Sequence, residues 1–225
     1  MQQILSEKSP LKFMILDDHE SVLNGTIAIL KKNYPSAEFN SATNASDGFD
    51  KIINYQPDLL IMDLSVPEKM DMVSRVDTGI QLIKVLMDNY SHLNLLIQSA
   101  HLKTLVRIRP YIDNHKGGFT VADKSLPASE MLTRVDWALQ GLTHTKDIQG
   151  IQSGLEVKLE WLKVINLAFE EGLQDKAIAE NMCISERMVR HYWSKLQDAL
   201  NIYPEAGKNI RIQTEIKARS VGLID

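Results

Sequence analysis

Three aspartates stand at the ends of two short apolar runs. Phe13-Met14-Ile15-Leu16 leads into Asp17-Asp18, and Leu59-Leu60-Ile61-Met62 leads into Asp63. Apolar runs of this length, separated by amphipathic stretches, read as buried strands of a parallel sheet, and in open sheets ligands gather at the carboxyl ends of the strands. The three carboxylates therefore converge on one rim. Such a cluster repels itself unless a hard cation sits in it, and oxygen ligands of this kind suit Mg²⁺, which also accepts phosphate oxygens. The chemistry this predicts is phosphoryl chemistry.

The elements that must hold this rim follow from the pattern between residues 12 and 140. Strand-like runs at 13–16, 37–42, 58–62, 94–98 and 118–123 alternate with helical periods near 20–33, 45–54, 79–90, 102–113 and 127–140. Five βα units in a row predict an α/β fold, a doubly wound five-stranded parallel sheet. Gly141 to Gly154, rich in Gly, Thr, Ser, Asp and Gln, reads as a linker. From Glu156 onward the periodicity is only helical, with four helices broken near Gly172, Cys183-Ile184 and Tyr203-Pro204-Glu205-Ala206-Gly207. The expected organisation is a first domain over 1–141, a linker over 142–155 and an all-α domain over 156–225.

Two more residues fall where the rim needs them. The fourth strand ends at Ser99 and the fifth at Lys124, followed by Ser125-Leu126-Pro127. A hydroxyl and an ammonium at those ends can bind an acyl phosphate oxygen and pair with its charge. This order of acidic pair, Asp, Ser, then Lys before Pro resembles the flavodoxin-like receiver domain of bacterial two-component response regulators, over roughly Lys12 to Gly141. The resemblance implies that Asp63 is the phosphoacceptor for a sensor histidine kinase. It also implies that Asp17, Asp18, Asp63 and the backbone carbonyl of Ser65 hold Mg²⁺, that Ser99 is the switch hydroxyl and that Lys124 is the charge partner. The competing view is that the carboxylates merely cap strand ends in solvent.

The chain departs from the family pattern in two places. After Pro67 the family soon reaches a Gly, whereas here residues 68–78 intervene before Gly79, a loop longer by about two helical turns' worth of residues. It is either a tolerated surface insertion, which loop entropy hardly penalises, or a lid or kinase-docking element. In strand five, Val121 stands where the family places its switch aromatic, with Phe119 two residues earlier. The six histidines are dispersed without metal-ligand spacing, so a zinc site is not expected.

The second half carries its own pattern. Leu162, Ile165, Ala168 and Phe169 form one apolar face, Gly172 ends that helix, Asp175 is placed to cap the next, and Ser185 to cap the one after. Two small helices, a short turn and a longer helix describe a helix-turn-helix. Between Ser185 and Arg219, seven basic residues against four acidic leave +3 in a chain of −4. The segment is similar to the C-terminal DNA-binding domain of the NarL/FixJ class, through Gly172-Leu173, Lys176, Ile178-Ala179, Ile184-Ser185, Val189-Arg190 and Leu196. It departs from that class at Leu159-Glu160-Trp161-Leu162, at Met188 and at Tyr192. The resemblance places Arg190, His191 and Ser194 toward the major groove, with Arg187 and Lys195 on phosphates or bases. It also gives the closing Arg211, Glu215, Ala218 and Gly222-Leu223-Ile224 to a fourth helix through which two chains can pair as a homodimer. Trp161, Trp193 and Cys183 are expected in the core. The competing view is an amphipathic helix that packs on a protein partner.

Composition sets the outer bounds. The chain has 225 residues, 44% hydrophobic and 24% charged, which is ordinary for a globular protein of two domains. The acidic balance excludes a uniformly basic nucleic-acid coat, so contact with double-stranded DNA falls to a local patch. One cysteine excludes an internal disulfide and fits a reducing compartment. There is no membrane-length apolar stretch, and Gln2 to Lys12 is too polar for a signal peptide, so a cytoplasmic location is expected. The reading is a phosphorylation-dependent response regulator that controls transcription, not an enzyme. One rival is an atypical regulator that acts by protein contact without phosphorylation. A haloacid-dehalogenase-class phosphatase is excluded, because that class wants an Asp two residues after its nucleophile and Ser65 stands there.

Overall fold

Strands β1 (Lys12–Leu16) and β3 (Leu59–Met62) lack polar alternation because both faces are covered by helices. Phe13 through Leu16 and Leu59 through Met62 are all buried. They are adjacent inner strands of a sheet in a computed structural model that describes residues 9–146 and 158–224. With β2 (Glu38–Ala42), β4 (Asn94–Gln98), β5 (Phe119–Ala122) and β6 (Thr143–His144), the order is β2-β1-β3-β4-β5-β6, with every neighbour pair parallel. The chain reverses its winding between β1 and β3, and ligand sites form outside the strand ends at such a point.

Helices α1 (Glu20–Asn33), α2 (Ala45–Tyr55), α3 (Val76–Asn89) and α5 (Ala128–Leu139) connect these strands, with the short α4 (Arg109–Asn114) before β5. One core gathers Phe13, Ile15, Leu59, Ile61 and Leu96 from the sheet against Leu23 and Leu30 of α1 and Met131, Val135 and Ala138 of α5. These strand residues follow the period of two that puts alternate side chains on one face. Asn44 caps α2, its side chain accepting from Asp47 N at 3.0 Å.

Several details differ from the sequence expectation. The sheet has six strands, not five: β6 is only two residues long, too short for any periodicity, and lies where the pattern predicts the start of the linker. Most of that linker, over 147–155, lies outside the described residues. The single helix expected over 102–113 is a 3₁₀ segment, Leu102–Ile108, followed by α4. Pro110 lacks the N–H that a continuous α-helix would need there, and it is accommodated only in the first turn of a new one. Helix α3 starts at Val76, ahead of Gly79.

By its contacts the chain divides into two units, one over 9–102 and 114–146, the other over 103–113 and 158–224. The second unit contains α6 (Leu159–Phe169), α7 (Asp175–Asn181), α8 (Glu186–Ala199) and α9 (Ile210–Ser220). Leu162, Ile165, Ile178, Val189, Trp193, Leu196 and Ala218 form its core, which Val106 from the 3₁₀ segment joins. Arg107 Nε donates to Gly222 O at 2.9 Å within this unit. Gly172 ends the chain's exit from α6 at φ +69°, a left-handed conformation that glycine adopts without a steric cost.

Two expectations about this unit are corrected. Asp175 does not cap α7, whose N-cap is Gln174; its carboxylate instead accepts from Trp193 Nε1 at 3.1 Å and from Arg211 at 2.9 and 3.1 Å. Cys183 is exposed rather than buried; it lies in the turn between α7 and α8 at φ +53°. Trp193 is buried and Trp161 packs against the core.

Candidate functional site

Register places the rim. Leu16 pairs with Met62 across β1 and β3, so the residues that follow, Asp17 and Asp63, leave the sheet side by side. Asp63 N donates to Leu16 O at 2.9 Å and Asp17 N to Ala42 O at 3.3 Å, which extends the ladder into the site. Both carboxylates are almost fully buried, at 4% and 5% exposed. Gln98 pairs with Ala122, and Ser99 follows directly on β4 while Lys124 follows two residues after β5.

Lys124 ties the rim together. Its Nζ lies 2.7 Å from Asp17 Oδ2 and 2.7 Å from Asp63 Oδ2, and its side chain is 23% exposed. Burial alone would push this ammonium down, but the hydrogen bonds and charges of Asp17 and Asp63 outweigh it and hold the group above the ordinary lysine range. The structure thus brings together Asp17, Asp63 and Lys124. Ser99 is fully buried, and its hydroxyl accepts from His101 N at 3.2 Å. Ser65 is half-buried, two residues past Asp63. Val121, at the family's aromatic position, and Phe119 are both fully buried in β5, so neither presents an aromatic ring to solvent.

Asp18 sits beside this core of the rim with a different set of partners. Its Oδ2 accepts a hydrogen bond from the Ser74 hydroxyl. Its Oδ1 is buried and accepts no hydrogen bond; His19 Nδ1 lies 2.7 Å from it, a pair that carries opposite charge only while the imidazole is protonated. Ligand atoms of Asp17, Asp18 and His19 all lie within 4.8 Å of one another. A buried carboxylate oxygen that accepts no hydrogen bond, grouped with a second carboxylate and an imidazole, fits a divalent cation. Sequence reasoning does not single out His19 or Ser74. His19 is visible as the neighbour of the acidic pair, but nothing in the spacing of the long loop points to Ser74.

The second candidate surface is on α8. Ser185 caps it, its side chain accepting from Met188 N at 3.2 Å. Val189, Trp193 and Leu196 face the core, so Arg187, Arg190, His191, Ser194 and Lys195 fall on the opposite stripe and all five are exposed. The structure brings these five together on one face. Arg190 lies 3.6 Å from Glu186 one turn earlier, a surface pair that leaves the guanidinium available. Among the described residues no helix is long and apolar enough to cross a membrane.

No family model matches the sequence. The chain is similar to the oxygen regulatory protein NreC of Staphylococcus carnosus, 26% identical over 206 residues that span 85% of this chain and 92% of that one. It is similar to the transcriptional regulatory protein YdfI of Bacillus subtilis, 25% identical over 227 residues, 95% of this chain and 97% of that one. Its fold matches RcsB from Salmonella enterica serovar Typhimurium, solved bound to promoter rprA, with a TM-score of 0.55 and 16% identity over 92% of this chain and 98% of that one. The similarities to NreC and YdfI run through both halves of the chain, as the acidic rim and the capped basic helix do, and the likeness to RcsB is one of fold.

Proposed function

We propose that this chain is a phosphorylation-dependent response regulator that binds double-stranded DNA to control transcription. The observation that carries the reading is the placement of Lys124 Nζ 2.7 Å from both Asp17 Oδ2 and Asp63 Oδ2, at the ends of strands whose register is fixed by the sheet. A buried carboxylate is a poor nucleophile toward a phosphoryl group unless cationic groups offset the charge on both. Here an ammonium is already in hydrogen-bond reach of the carboxylate that would react.

In this reading an oxygen of Asp63 attacks the phosphorus of a phosphohistidine on a sensor kinase. The new P–O bond forms as the P–N bond breaks, and the imidazole leaves with the electron pair. Asp17, Asp18, Asp63 and the carbonyl of Ser65 would hold Mg²⁺, which supplies charge neutralisation on the transferred group. Lys124 pairs with the phosphoryl oxygens once Asp63 carries the acyl phosphate, and Ser99, buried at the end of β4, donates its hydroxyl to them. Arg190, His191 and Ser194 read base edges in the major groove and Arg187 and Lys195 contact phosphates or bases. A homodimer through α9 fits the two-fold symmetry of operator half-sites.

Incubation with acetyl phosphate and Mg²⁺ tests the reaction. Intact-mass measurement is expected to show one added phosphoryl group on the wild type and none on Asp63→Asn. An unmodified wild type, or equal modification of both, would overturn the assignment and favour regulation by protein contact alone.

A further inference from the structure

The long connection between β3 and α3 is anchored at both of its ends and in its middle. Val66 forms an isolated antiparallel bridge with Arg75, and Arg75 N donates to Val66 O at 3.2 Å. Between them the chain turns, with Met72 N donating to Lys69 O at 3.2 Å and Asp71 at φ +66°. At its start, Pro67 O and Glu68 O accept from Ala45 N and Ser46 N, at 2.9 and 3.0 Å, in the first turn of α2. At its end, α3 approaches the chain leaving β3 so closely that a Cβ on Gly79 would lie 2.2 Å from Leu64 O. The tip exposes Met70, Met72 and Val73, but Ser74 on its return limb is half-buried and turned to Asp18.

That contact divides the work of the Asp18 carboxylate. Oδ2 is engaged by the Ser74 hydroxyl, while Oδ1 is buried, accepts no hydrogen bond, and is turned to the Asp17 carboxylate and the His19 imidazole, whose Nδ1 lies 2.7 Å away. A carboxylate free to rotate presents either oxygen to a cation in either orientation; one held at Oδ2 presents Oδ1. We infer that Ser74 is a positioning residue for the cation site: it fixes the Asp18 carboxylate so that Oδ1 faces the bound divalent cation, and so sets the affinity of the rim for Mg²⁺. The inserted loop is then neither an inert extension nor only a surface for partners, since its return limb completes the shell behind a metal ligand. Such outer-shell hydrogen bonds orient ligands, and their loss costs a site roughly 10–100-fold in metal affinity. The inference rests on the reading of the rim as a Mg²⁺ site.

Calorimetric titration of MgCl₂ into the full-length protein tests it with no need for phosphorylation. Ser74→Ala is expected to weaken Mg²⁺ binding about tenfold, at the lower end of that range because one of several ligands is affected. Ser74→Thr, which keeps the hydroxyl, is expected to bind within about threefold of the wild type by the same principle. Near-ultraviolet circular dichroism of both variants checks that the rim is folded. Ser74→Ala binding as tightly as the wild type, or more tightly, overturns the assignment of Ser74 alone. So does Ser74→Thr binding as weakly as Ser74→Ala. A wild type that binds no Mg²⁺ overturns the cation site itself and this inference with it.

Discussion

The acidic rim and the exposed face of α8 are both clusters of charge, yet the fold treats them in opposite ways. At the rim, Asp17 and Asp63 are withdrawn from water and held by one ammonium at 2.7 Å, so each charge depends on its neighbours. On α8, Arg187, Arg190 and Lys195 stay in solvent and owe their placement to the helix backbone and to the buried stripe of Val189, Trp193 and Leu196. Buried charges that lose a partner are costly, whereas solvated charges are nearly free to lose. Substitutions at the rim are therefore expected to act on stability and chemistry together, and substitutions on the exposed face of α8 on binding alone.

The largest expected effect is at the rim. Lys124→Met leaves two buried carboxylates facing each other, and breaking such a pair costs about 3 kcal/mol, the lower bound for fully buried ions since the lysine is partly exposed. Urea denaturation measures this. Added Mg²⁺ is expected to recover part of the loss in Lys124→Met and to do less for the wild type, whose rim is already compensated. Equal response of the two proteins would separate Lys124 from the cation site.

On α8, Arg190→Ala is expected to weaken binding to a selected operator by about 2 kcal/mol, the scale of one good base contact, with urea stability unchanged. Loss confined to certain sequences marks base readout, and a uniform loss with a shallower salt slope marks a phosphate contact. If Arg190→Ala instead lowers stability, the contrast between the two charge clusters fails at its exposed end.

Arg211 sharpens the comparison, because it is a cation of the second unit that is built like one of the rim. It pairs with Asp175 at 2.9 Å and stacks 3.7 Å from the centre of Trp193, the residue that seats α8 on its core. Arg211→Ala is expected to cost about 1.5 kcal/mol in stability, the low end for hydrogen bonds to a charged group since the pair is partly solvated. DNA affinity measured well below the melting transition is expected to fall less than in Arg190→Ala.

The smallest effect concerns Tyr34, whose hydroxyl donates to Asp136 at 2.5 Å and joins α1 to α5. Burial, then the hydrogen bond to Asp136 and its charge, hold the phenol well above its ordinary range. Its contribution is complete below the unfolded phenol value of about 10, where both states keep the proton, and is lost as pH rises further because only the unfolded chain ionises. Tyr34→Phe is expected to cost about 1 kcal/mol at pH 8 and to flatten the decline in stability above pH 10. An alkaline limb identical to that of the wild type would show that another group governs it.

Legibility in the sequence follows the same division between buried and exposed. Strands covered on both faces announce themselves as unbroken apolar runs, so the residue pattern alone is enough to place β1 and β3 and the three aspartates after them. On α8 it is the resemblance to a helix-turn-helix that points to Arg187, Arg190, His191, Ser194 and Lys195, and the structure sets these five opposite the buried Val189, Trp193 and Leu196. Features set by long-range contacts are not legible. Two-residue β6 has no period to read, and Asp175 has the residue type of a cap but is drawn away by Arg211 and Trp193, 36 and 18 residues distant. Ser74 meets Asp18 across 56 residues through a loop without periodicity, and only the fold brings them together.

Phosphorylation of the rim must change what α8 does if the two charge clusters belong to one switch. The direct measurement is the affinity of the full-length protein for a selected operator, in Mg²⁺, before and after treatment with acetyl phosphate, with Asp63→Asn treated in parallel. A wild-type change of at least about fivefold, the lower end of the usual coupling between two sites, with no change in Asp63→Asn, is the predicted result. A wild-type affinity that does not move, or an equal shift in Asp63→Asn, would contradict it.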